Sequence, residues 1–177
     1  MYLLPERNLV YLAHPRTASI ATKRTLGQLG PMEMYQGHHG IDPEKIPQGA
    51  TVMTTIRNPW DVFVSWWFKR RANKSPFYGL PLAEFIPQLV ANNKQYFRGG
   101  KMFYMVPYAN VILEYQHLQA QFDITLVKVG YPPRDLVTAN KSERRKPNWR
   151  KYYTPEARDW VADYFAEEIK RFGFKFN

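Results

Sequence analysis

Twice within its first 71 residues the chain runs from a short apolar stretch through a tight polar break into a helical pattern. Residues 8–13 (Asn-Leu-Val-Tyr-Leu-Ala) have the length and bounded apolarity of a buried strand. Pro15 cannot extend a central strand, so the segment His14-Pro15-Arg16-Thr17-Ala18-Ser19 reads as a loop. A helical pattern follows from Ile20 to Leu29 and is closed by Gly30-Pro31. In the second copy, Thr51 to Ile56 is β-branched and apolar, and Arg57-Asn58-Pro59 makes the turn. Trp60 to Arg71 then brings Val62, Phe63, Trp66 and Trp67 to roughly helical spacing, with bases gathering at the C-terminal end that the helix dipole favours. Strands alternating with helices predict an α/β fold: three layers, a parallel sheet flanked by helices, with P-loop-like strand–loop–helix units.

The rest of the chain is less regular. Residues 73–110 are rich in proline and aromatics, with one helix expected near Leu82–Asn92 and a loop around Arg98-Gly99-Gly100. Asn110 to Glu114 reads as another strand, and Gln116 to Gly130 is ambiguous because its β-branched run conflicts with a helical start. Thr154-Pro155-Glu156 is an N-cap, a first-turn proline and an acid at the positive dipole end. From there Ala157, Trp160, Val161, Tyr164, Phe165 and Ile169 mark one apolar face, ended by Gly173. With no repeat and no linker, 177 residues make one domain, 1–177.

Charge narrows the chemistry. A net charge of +10 points to an anionic partner, whether nucleotide, nucleic acid, acidic polysaccharide or membrane surface. The bases cluster at 69–74 and at 141–151. Cysteine is absent, which excludes disulfides, thiol nucleophiles and cysteine-ligated zinc, and agrees with a reducing compartment. No apolar run is long enough to cross a bilayer, and Met1 to Asn8 does not read as a leader, so the expected location is cytoplasmic.

The two breaks are where an anion would sit. A tight loop opening a helix presents backbone N–H groups and a positive dipole end. Here it carries Arg16, Thr17, Ser19, Thr22, Lys23 and Thr25, without the glycines and Gly-Lys-Ser/Thr ending of a Walker A loop. Arg57 stands at the C-terminal end of a predicted strand, where open α/β sheets bind ligands. Ser65 follows two helical turns later, able to face the same crevice.

In order and spacing these segments resemble the sulfotransferase family, particularly its carbohydrate-modifying branch. Leu9 through Ser19 is similar to the family's 5′-phosphosulfate loop, usually Pro-Lys-Thr-Gly/Ala-Gly-Thr. Thr54-Thr55-Ile56-Arg57-Asn58-Pro59-Trp60-Asp61-Val62-Phe63-Val64-Ser65 is similar to the 3′-phosphate motif, Val-Arg-Asn-Pro-x-Asp-Arg-x-x-Ser. Asn140-Lys141-Ser142 through Tyr153-Thr154-Pro155-Glu156 to Phe174 resembles the family ending. Two positions differ: Arg16 replaces the usual loop lysine, and Val62 replaces an arginine.

The resemblance implies a donor, 3′-phosphoadenosine 5′-phosphosulfate (PAPS), and a product, 3′-phosphoadenosine 5′-phosphate (PAP), with no metal. The sulfuryl group would pass by in-line displacement to a hydroxyl or amine of an acceptor, a carbohydrate or small molecule. Pro15, Arg16, Thr17, Ala18 and Ser19 would hold the phosphosulfate, and Arg57 and Ser65 the 3′-phosphate. Arg16 would also stabilise charge on the departing oxygen. Ser142, Arg144, Arg145 and Arg150 would close over the nucleotide or gather an anionic glycan. His38 and His39 lie between the two loops, where many carbohydrate sulfotransferases carry a histidine base; either one would serve, with His38 slightly favoured and Glu33 and Glu44 behind. Three other readings stand beside this one: a P-loop-type nucleotide kinase, a non-catalytic nucleic-acid-binding protein, and a sulfotransferase fold that binds nucleotide without reacting.

Overall fold

The computed structural model describes residues 1–72, 75–77, 79–139 and 148–177. In chain order the strands and α-helices are β1 (Tyr2–Leu4), β2 (Leu9–Leu12), α1 (Ser19–Leu26), β3 (Glu33–Met34), β4 (Thr51–Ile56), α2 (Pro59–Ala72), α3 (Leu82–Asn92), β5 (Val111–Glu114), α4 (Leu118–Lys128), α5 (Pro155–Tyr164) and α6 (Ala166–Phe172). They divide between two compact units, Met1–Arg57 with Met105–Asn140, and Asn58–Tyr104 with Lys141–Asn177.

The first unit holds the five-stranded sheet, ordered β3-β1-β2-β4-β5. Its centre is parallel, as the alternation of strands and helices predicts: Leu9 pairs with Thr51 and Leu12 with Thr54, then Met53 with Val111 and Ile56 with Glu114. The sheet is nevertheless mixed. β1 runs antiparallel to both β2 and β3, with Tyr2 opposite Tyr11 on one side and Met34 on the other. These two strands have only three and two residues, too short to show an alternating pattern in sequence.

One sheet face packs Leu9, Tyr11, Ala13, Met53 and Leu113 with Leu26 of α1 and Leu118, Phe122 and Leu126 of α4. Val10, Leu12, Val52 and Ile56, on the alternate positions, are buried too, which is why β2 is apolar throughout and β4 carries apolar residues on both faces. The ambiguous segment before Gly130 resolves as helix α4. Leu118, Phe122 and Leu126 recur at four-residue spacing into the core, and that burial outweighs the weaker helical preference of Ile124, Thr125 and Val127.

The second unit is helical. Asn58 caps α2, its Oδ1 accepting from Trp60 N at 3.1 Å, with Pro59 at the first helical position. The rings of Phe63, Phe97 and Phe165 meet at 5.7–6.1 Å. Thr154 caps α5 as expected, its Oγ1 accepting from Ala157 N, and Gly173 ends the region in the left-handed conformation. What differs is continuity: Phe165 breaks the expected single helix into α5 and α6. Past the break the buried position is Glu168, not Ile169, and Tyr164 is 44% exposed.

Glu168 has a specific task. Its two carboxylate oxygens accept from Met102 N (2.9 Å) and Phe103 N (2.7 Å), satisfying two buried backbone donors at once. Burial pushes its pKa up, and the two N–H bonds pull against that shift. Glu168→Ala leaves both donors unpaired and is expected to cost about 2–6 kcal/mol, at about 1–3 per orphaned group. Urea unfolding should show the lower midpoint with an unchanged slope.

Candidate functional site

The parallel pairing of β2 with β4 brings the ends of both strands to one edge of the first unit's sheet, and Thr54 Oγ1 ties them by donating to Leu12 O at 2.8 Å. Beyond β2 the loop closes on itself: Thr17, fully buried, donates its hydroxyl to His14 O at 2.9 Å. Arg16 (φ 64°) and Ala18 (φ 63°) flank it in the left-handed region, which turns successive amides toward one side. Ala18 is the N-cap of α1 and offers no side-chain cap, leaving the first-turn amides for an anion. Not every hydroxyl there is available to a ligand, since Thr22 and Thr25 donate to Ala18 O and Ala21 O.

Arg57 reaches into this loop. Its side chain is 6% exposed, Nη1 donates to Arg16 O at 2.7 Å, and the guanidinium carbon lies 3.9 Å from the centre of the Tyr115 ring. The two motifs read separately from sequence are therefore one hydrogen-bonded structure. Tyr115 follows directly on β5; nothing in its neighbourhood in sequence distinguishes it as a partner for Arg57.

The histidine pair arrives on a turn. Gln36 and Gly37 are left-handed (φ 55° and 70°), and a Cβ on Gly40 would lie 1.8 Å from Gln36 O, so glycine is required there. The Met1 nitrogen donates to Tyr35 O, Gly37 O and Gly40 O at 3.1, 3.1 and 2.7 Å. The turn sets His38 against Ser19 (Nε2 to Oγ, 3.2 Å) and Tyr2 (Nδ1 to the phenol oxygen, 2.5 Å). His39 Nδ1 lies 2.7 Å from Ala13 O. Thus Arg16, Thr17, Ala18, Ser19, His38, His39 and Arg57 come together in the first unit, and Pro15 of the same loop is buried. Tyr2 was not singled out by any sequence signal, since its role depends on a contact 36 residues away.

Two of the remaining predicted residues belong to the second unit. Ser65 is buried on α2 in the second unit. Arg150, also there, stacks on Trp149 (4.3 Å) and donates through Nε to Phe176 O and through Nη2 to Asn177 O, both at 2.5 Å. Ser142, Arg144 and Arg145 lie outside the described residues. Among the described residues no group of three or more His, Asp or Glu is placed to hold a metal, and no helix is long and apolar enough to cross a membrane.

Electrostatically the site is positive while its imidazoles are neutral. Burial, then His39, Lys23 and the Met1 amine, lower the His38 pKa to about 4. Burial lowers His39 as well, with the Met1 amine and Arg16 adding to the shift and the Ala13 carbonyl opposing it. His14, fully buried at the start of the loop, is lowered to about 3 by burial and by His39.

No family model matches the chain, and no curated protein matches it in sequence. Among solved structures it is similar to mouse sulfotransferase SULT7A1 complexed with PAP, at 12% identity and a TM-score of 0.54, covering 92% of this chain and 84% of that one. The likeness speaks for the architecture: a mixed sheet flanked by helices, in a sulfotransferase-type fold.

The lowered histidines make stability depend on pH. His14 and His38 bind protons more readily unfolded, near 6.5, than folded, near 3 and 4. Their contribution is intact above pH 6.5 and is lost as pH falls through that value toward 3. Urea midpoints should fall steadily over this range, and His14→Gln should flatten the slope.

Proposed function

We propose that this chain is a PAPS-dependent sulfotransferase, transferring a sulfuryl group to a hydroxyl or amine of a carbohydrate or small-molecule acceptor with a histidine as base. The observation that carries the reading is the buried Arg57 guanidinium donating to the carbonyl of left-handed Arg16. It joins a loop shaped for one anion to a cation suited to a second, and PAPS has anionic groups at both ends. The fold supports it, since the similar mouse protein is a sulfotransferase complexed with PAP.

The residues present fit such a donor. Arg16, Ser19 and the uncapped amides opening α1 would hold the phosphosulfate, with Pro15 and Thr17 shaping the loop and Ala18 turning it. By the resemblance of residues 54–65 to the 3′-phosphate motif, Arg57 and Ser65 would hold the 3′-phosphate. By the resemblance of the chain's ending, Ser142, Arg144, Arg145 and Arg150 would bind the nucleotide or gather an anionic acceptor. When bound, PAPS supplies an activated sulfuryl group on a mixed anhydride. Arg16 would offset charge growing on the leaving oxygen. A neutral imidazole of the His38–His39 turn receives the acceptor's proton. A net charge of +10 suits an anionic glycan as acceptor, and the cysteine-free composition suits a cytoplasmic setting.

Calorimetric titration with PAP is the direct test. Micromolar binding is expected, with AMP much weaker for want of the 3′-phosphate. Arg57→Ala should cost about 1.5–3 kcal/mol, the range for hydrogen bonds to a charged group. Failure of the folded wild-type chain to bind PAP overturns the reading, and steeply salt-dependent binding to RNA or DNA in its place would identify a nucleic-acid-binding protein.

A further inference from the structure

His38 and His39 are adjacent in the chain, and their rings lie 4.1 Å apart. Their hydrogen bonds nevertheless assign them different chemistry. His39 Nδ1 sits 2.7 Å from the backbone carbonyl oxygen of Ala13. A carbonyl oxygen only accepts, so Nδ1 carries the proton, and in the neutral ring Nε2 is the accepting nitrogen.

His38 has both ring nitrogens engaged with hydroxyls, Nδ1 with Tyr2 and Nε2 with Ser19. Two arrangements satisfy this geometry. If Nδ1–H donates to the phenol oxygen, the serine hydroxyl must donate to Nε2 and is turned away from any anion. If the phenol donates to Nδ1, then Nε2–H donates to Ser19 Oγ, and the serine O–H points outward as a donor. Burial raises the Tyr2 pKa and keeps the phenol protonated, which both arrangements share. Only the second arrangement leaves Ser19, the first residue of α1, able to donate to an anion in the 15–19 loop.

We infer that the two neighbours hold opposite tautomers and divide the work: His39 is the base, accepting at Nε2, while Tyr2–His38–Ser19 is a chain of donors that keeps the Ser19 hydroxyl on the anion. Tyr2 and His38 are positioning residues for donor binding. The assignment rests on reading the 15–19 loop as the phosphosulfate cradle. In the transfer itself the acceptor oxygen forms its bond to sulfur as the bond from sulfur to the 5′-phosphate oxygen breaks. PAP departs with that electron pair, and the acceptor's proton passes to His39 Nε2 and then to solvent.

The first experiment is two-bond ¹⁵N–¹H correlation spectroscopy on the full chain with labelled histidine near pH 7, assigned with His38→Gln and His39→Gln. The expected result is an Nε2–H pattern for His38 and an Nδ1–H pattern for His39. The same tautomer at both positions, or an Nδ1–H pattern at His38, overturns the inference. PAP titration supplies the functional arm. Tyr2→Phe and His38→Ala should weaken PAP about 3–10-fold, the worth of one hydrogen bond, while His38→Gln, whose amide N–H replaces Nε2–H, restores most of the affinity. His39→Gln should bind PAP within about twofold of wild type, yet lose about 100-fold or more in PAPS turnover with 2-naphthol or N-acetylglucosamine oligomers as acceptors. Loss of turnover in His38→Gln at saturating donor, with His39→Gln still active, overturns the division of roles. A wild-type chain that does not bind PAP sinks the donor reading itself, whereas the tautomers are read without any ligand and fail separately.

Discussion

The parallel register of β2 against β4 is the constraint on which the site depends. Leu12 pairs with Thr54, so the loop beginning at His14 and the turn beginning at Arg57 leave the sheet at the same end. Had β4 run antiparallel, its six residues would have delivered Arg57 to the opposite edge, about 20 Å away at about 3.3 Å per residue. Instead its guanidinium reaches the Arg16 carbonyl at 2.7 Å. The side-chain bond from Thr54 to Leu12 O fixes the pairing at the last residue of β2, two residues before β4 ends.

That contact explains how the loop tolerates its backbone. A left-handed residue other than glycine costs about 1–2 kcal/mol, and both Arg16 and Ala18 adopt that conformation. A hydrogen bond to a charged donor returns about 1.5–3 kcal/mol, and the Tyr115 ring at 3.9 Å adds a cation–π contribution of about 0.5–2. The terms are of similar size. The loop is held open by Arg57 from outside and by Thr17 donating to His14 O from within, without the glycines usual in the motif it resembles.

What sequence revealed was local, and what it concealed was mostly long-range. The strand–loop–helix units, the helix at Leu82–Asn92 and the Thr154 cap each depend on residues within a few positions of one another, and each was legible. The segment before Gly130 was not, because its β-branched residues and its Leu118–Phe122–Leu126 repeat argue oppositely, and only the core decides. The break at Phe165 was missed for the same reason: a continuous apolar stripe does not reveal that Glu168 is needed inward to satisfy two amides 65 and 66 residues away. At the site, the loop, Arg57 and the histidine pair were readable as chemistry-bearing residues. Tyr2 and Tyr115 were not, since one sits on a three-residue strand and the other at a strand end, and both act only through partners distant in sequence.

The turn bearing the histidines shows how closely binding and basicity are opposed here. Arg16 brings a positive charge to the loop, and that charge disfavours the protonated form of His39. Burial acts in the same direction on His14, His38 and His39, so at neutral pH all three rings are neutral and the positive potential comes from arginine and lysine alone. An anion would therefore be held without taking up a proton at the histidines. The Ala13 carbonyl is the counterweight: by accepting from Nδ1 it favours charge on His39 and fixes which nitrogen receives a proton. That carbonyl belongs to the residue that follows β2 into the 14–19 loop, so the element that leads into the loop also orients the His39 ring.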